Sequence, residues 1–83
     1  MKKRIGDVQY YLDLDVDIFH LVKRIKTFSK EFTQGKTKAT TLTVSDIHFT
    51  KKNFNNINFN ENGLREKDKE ILIKMIEEMD NDD

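Results

Sequence analysis

Between Val8 and Ile18 the chain carries two competing periodicities, and the one that prevails decides the fold. Val8, Tyr10, Leu12, Leu14, Val16 and Ile18 alternate with Gln9, Tyr11, Asp13, Asp15 and Asp17, as in a strand with one buried face. Tyr11, Leu14, Ile18, Leu21, Ile25, Phe28 and Phe32 also follow 3-4-3-4 spacing, the stripe of an amphipathic helix. A strand over 5–14 followed by a helix over 16–33 accommodates both. Asp15 or Asp17 would cap that helix by accepting free N–H groups of its first turn. Gly35 would take the left-handed position after its end.

Downstream, Thr40, Thr41, Thr43 and Val44 favour extended backbone, so 38–49 reads as a strand. Leu42 and Val44 share one parity, whereas Ile47 and Phe49 share the other. A bulge near Ser45-Asp46 would restore a single buried face. Thr50-Lys51-Lys52-Asn53 reads as a hairpin loop, and Phe54 to Phe59 as a weaker strand. Asn62-Gly63 opens a last helix, Leu64 to about Met79, with Leu64, Ile71, Leu72, Met75, Ile76 and Met79 on its apolar face. The predicted order is β-α-β-β-α. This is an α+β two-layer sandwich of two amphipathic helices on a three-stranded sheet. The acids that close the chain sit at the negative end of the helix dipole, so 77–83 is expected to be a disordered acidic tail.

At 83 residues, 1–83 forms one small domain, and with 36% charged residues its core is small. Stability would rest on close packing of the helices or on a partner, and obligate dimerisation is one alternative. No apolar run approaches the ~20 residues of a membrane span, so no membrane association is expected. Met1-Lys2-Lys3-Arg4 has no apolar core behind it, so no signal peptide is expected and a cytoplasmic location is the default. Without cysteine there is no disulfide, thiolate zinc site or cysteine nucleophile. Scarce Gly, Ala, Arg and Pro beside abundant Lys, Asn, Ile and Phe suggest AT-rich coding DNA, as in low-GC bacteria and their phages or plasmids.

Catalytic motifs fail on inspection. Asp13-Leu14-Asp15-Val16-Asp17 would line carboxylates on one strand face. As a calcium loop it has Ile18 where glycine is needed and Arg24 where a bidentate glutamate is needed. Gly35-Lys36-Thr37 resembles the tail of a phosphate loop, but Lys30 occupies the position of the earlier glycine. His20 and His48, with no common helical face, make a poor zinc pair. Ser29 and Ser45 lie in no nucleophile motif. No enzymatic activity, cofactor or metal is expected.

Charge is the stronger signal. The formal net charge is zero, yet residues 18–60 carry net +6 and residues 61–83 net −5. Such segregation steers a charged partner, unless the two segments fold against each other. On the expected first helix Lys23, Lys26 and Lys30 would form one face, with Arg24 at its border. Lys36, Lys38, Lys51 and Lys52 would flank it. The preferred reading is a small binding protein, a phage- or plasmid-encoded regulator or inhibitor acting on a protein partner. Its contacts would be Lys23, Arg24, Lys26, Lys30, Lys51, Lys52 and Phe54. The alternative is a nucleic-acid-binding protein using the same lysines and the 51–53 hairpin, although arginine, the main source of bidentate base contacts, is scarce. A third reading is a homodimer joined through the exposed helix stripe.

Overall fold

A computed structural model of the chain describes residues 1–30, 35 and 37–80, without the side chains of 29 and 30. The elements are β1 (Lys2–Ile5), β2 (Val8–Asp15), β3 (Ile18–Lys30), β4 (Thr37–Phe49), a 3-10 helix (Lys51–Asn56) and α1 (Glu66–Asp80). The four strands form one antiparallel sheet in the order β1-β2-β3-β4. No helix among the described residues is long and apolar enough to cross a membrane.

This architecture corrects the expected β-α-β-β-α sandwich. Among the described residues the sheet has four strands, not three, and one α-helix packs on it, not two; the α+β description survives only loosely. The segment read as the first helix is β3 as far as Lys30, and its expected end at 31–33 lies outside the described residues. Strand alternation wins because it continues past Ile18. Phe19, Leu21 and Lys23 are buried on one face, while Ile18, Arg24 and Phe28 on the other are exposed. The helical stripe is thereby split, with Leu21 inside and Ile18 and Phe28 outside. Ile18, Phe19, Val22, Ile25, Thr27 and Phe28 are also strong strand formers. The Val16-Asp17 turn lets the segment pair at once with β2, Asp15 opposite Ile18.

The strand expected at 38–49 is β4. Its register slips where Lys23 faces Ser45 and Arg24 faces Thr43, leaving Val44 as the extra residue, one position before the expected bulge. The expected hairpin loop and third strand are replaced by the 3-10 helix, whose first turn is capped by the Thr50 side chain accepting from the Asn53 N–H. Phe54 and Phe59 instead close the end of the core. Phe19, Phe49, Phe54 and Phe59 form an aromatic series with successive centroids 5.3, 5.7 and 5.6 Å apart.

The last helix is found as α1, which continues through residues 77–80; residues 81–83 lie outside the description. Its Leu72 and Met75 join Tyr10, Leu12, Phe19, Leu21, Phe49 and Leu64 in the core on one sheet face. Among the described residues, no helix covers the opposite face. Lys26 N–H donates to the Asp7 carbonyl (2.9 Å), just past the last β2–β3 pair, Val8 opposite Ile25. From Thr27 onward β3 and β4 pair only with each other, as a two-stranded ribbon about 13 Å long.

Candidate nucleic-acid interface on the open sheet face

Strand register sorts the uncovered face into transverse rows. Arg4, Gln9, Arg24 and Thr43 form one row. Lys26 with Thr41, then Phe28 with Ala39, continue it onto the ribbon. Lys2, Tyr11, Val22 and Asp46 make the boundary row, followed by Asp13, His20 and His48, then Asp15 and Ile18. The face therefore has a basic half, in which Arg4, Arg24 and Lys26 outnumber Asp7, whose carbonyl accepts from the Lys26 N–H at its margin, and a half of carboxylates and imidazoles.

Aromatic rings lie among the cations. Tyr11 is flanked by the Lys2 ammonium at 5.6 Å and the Arg24 guanidinium at 5.4 Å from its centroid. The Lys26 ammonium lies 5.6 Å from the Phe28 centroid. Each contact is worth about 0.5–1 kcal/mol at an exposed site and holds a flexible cation over an aromatic surface. Over 37–43 of β4, where Lys38, Thr40, Thr41 and Thr43 lie, every residue is exposed.

The sequence-predicted contact residues scatter. Arg24 and Lys26 share the open face by register. Lys30 pairs with Thr37 in the ribbon, its side chain outside the description. Lys51 pairs with Asp80 at 2.7 Å, and Lys52 is exposed on the 3-10 helix. Phe54 is half-buried against Phe49 and Phe59. Lys36 lies outside the described residues.

Lys23 leaves the surface altogether. It is 7% exposed on the helix side of the sheet, and its ammonium lies 2.6 Å from an Asp68 oxygen. The other Asp68 oxygen accepts from the Tyr10 hydroxyl. Asp68 lies in the first turn of α1 and also accepts the Arg65 N–H at 2.8 Å, one half of a capping box. Burial alone would push the Asp68 carboxyl up. Hydrogen bonds from Lys23, Tyr10 and the Arg65 N–H, with the Lys23 charge, outweigh burial and hold the carboxyl below its ordinary range. Burial, then the Asp68 hydrogen bond and charge, push the Tyr10 phenol well above its ordinary value. The cluster ties the helix start to β2 and β3.

Lys2, Arg4 and Tyr11 were absent from the sequence reading of the site, because only the β1–β2–β3 register sets them beside Arg24. The two histidines, which share no helical face in the sequence, are direct cross-strand partners. With Asp46 they are three groups able to hold one metal ion, whereas Asp13 and Asp15 lie beside them and Asp17 falls in the turn. No protein-family model matches the chain, and no match was found among curated proteins or solved structures.

Proposed function

We propose that this chain is a nucleic-acid-binding protein that lays a phosphate backbone along the basic half of its open sheet face and its β3–β4 ribbon. One observation carries the reading: Lys2 and Arg4 of β1 and Arg24 and Lys26 of β3 converge by register on one uncovered face whose opposite half is acidic. Phosphates meet cations there, and the acidic half repels the chain from the wrong direction, which fixes polarity of approach. Phe28, exposed on the ribbon, offers a ring on which an unpaired base stacks, so a single strand suits this surface better than a duplex.

The reading is tested by anisotropy of a labelled single-stranded oligonucleotide titrated with the full chain at several salt concentrations. Four phosphate contacts give a log–log salt slope of about −3. The R24E/K26E double variant should bind at least about tenfold more weakly, since each exchange turns attraction into repulsion. Absence of binding at low salt would reject the reading. Lys23 is no part of the test, because its replacement removes a buried partner of Asp68.

A second reading, a protein partner, is favoured by the opposite end of the molecule. Val16 is 92% exposed at the tip of the β2–β3 turn with φ +60, between the exposed Leu14 and Ile18. An apolar tip held in a costly conformation is a candidate protein contact. V16D should then weaken capture of that partner and leave oligonucleotide binding intact.

A further inference from the structure

We infer that His20, Asp46 and His48 form a site for a borderline divalent transition metal, with zinc as the representative ion, on the acidic half of the open sheet face. His20 and His48 face each other across β3 and β4, and Asp46 stands two residues before His48 on the same side of β4. One donor atom from each of the three lies within 4.8 Å of the other two. The His20 Nε2 already lies 2.5 Å from an Asp46 oxygen.

The geometry is close to what an ion requires. Tetrahedral zinc with ligands at about 2.1 Å sets its donors about 3.4 Å apart. The imidazoles stack 4.1 Å apart at an interplanar angle of 6°. Turning their nitrogens onto one ion takes rotation about side-chain bonds, while the paired backbones of β3 and β4 stay fixed. Directly opposed residues hold their Cβ atoms about 5 Å apart, a span both rings bridge around one ion. These side chains are half-buried or exposed, so they are free to make that rotation.

The donor set selects the class of ion. Two imidazoles and one carboxylate suit zinc, copper or nickel; magnesium and calcium take oxygen ligands and gain little from imidazole. A fourth position stays open to water. Asp13, opposite His20 on β2, and Asp15 line the same depression as both histidines. Their carboxylates concentrate cations there.

The test is calorimetric titration of the full chain with zinc chloride, alongside NMR of the histidine ring protons. One ion per chain should bind, with both histidine rings shifting together and chelation by EDTA restoring the spectrum. H20A and H48A, on an uncovered face, should keep the far-ultraviolet circular dichroism of the native chain and lose at least about tenfold in affinity, and D46N should also weaken binding. Magnesium chloride should leave the ring protons unmoved. Three outcomes would overturn the assignment: no ring shift at millimolar zinc, zinc affinity unchanged in the H20A/H48A double variant, or magnesium binding as well as zinc.

Discussion

Val16 and Gly6 occupy the same place in successive hairpins. Each is the first residue of a two-residue turn, between Ile5 and Val8 or between Asp15 and Ile18, and each has φ +60. This pattern belongs to type II′ turns, where glycine is preferred at that position. Gly6 takes it at no steric cost, whereas a β-branched valine is strained there. V16G should therefore stabilise the chain by about 1 kcal/mol, read as a higher urea midpoint, and an unchanged or lower midpoint would refute the strain. Asp68 works through charge. Its folded-state carboxyl titrates below the unfolded value of 3.8, so its stabilisation is complete above that value and fades as pH falls through the folded one. D68N should cost about 3 kcal/mol at neutral pH, and the gap between wild type and variant should shrink in urea titrations repeated near pH 3. The sequence could not reveal this cluster. Alternation sets Lys23 beside Phe19 and Leu21, but its partner Asp68 lies 45 residues away.

At the scale of elements, legibility follows how far each pattern depends on its neighbours. The last helix was readable because Leu72 and Met75 have no competing strand register. The strand at 38–49 and its bulge were readable because Ile47 and Phe49 break parity with Val44 inside the segment itself. Residues 16–30 were not, since an alternating run rich in Ile, Val and Phe also contains a helical stripe, and only pairing with β2 separates the two. Phe54 to Phe59 misled for the converse reason: strand-forming residue types were spent on closing the core. Gly63 joins two elements. Its φ is +74, and a Cβ there would stand 2.9 Å from the Val44 carbonyl oxygen at the bulge. The extra residue of β4 thus pushes its backbone against the entry to α1, and only glycine fits between. G63A should destabilise by about 2 kcal/mol or more, from left-handed strain plus the clash, measured by thermal or urea unfolding. The candidate interface was half legible. Arg24 and Lys26 stood out as cations, but their companions Lys2, Arg4 and Tyr11 come from strands whose order the sequence left open.

The whole molecule is long for its mass. Its radius of gyration is 15.4 Å, and its principal extents are 51 × 30 × 21 Å. A compact chain of this length would have a radius near 12 Å. The ribbon extends the molecule beyond the four-stranded part of the sheet, and small-angle scattering of the dilute chain should return about 15 Å; about 12 Å would refute the extended form. Charge is arranged on the same axis. Two ion pairs, Lys23–Asp68 and Lys51–Asp80, draw the basic middle onto the acidic last helix. Arg24 and Lys26 remain on the open face, so neutralisation is partial and directional. The outer border of the sheet has its own consequence. β4 runs for thirteen residues with a neighbour on one side only. Such a margin can template copies of itself into fibrils, and a lysine such as the exposed Lys38 is the kind of residue that opposes that pairing.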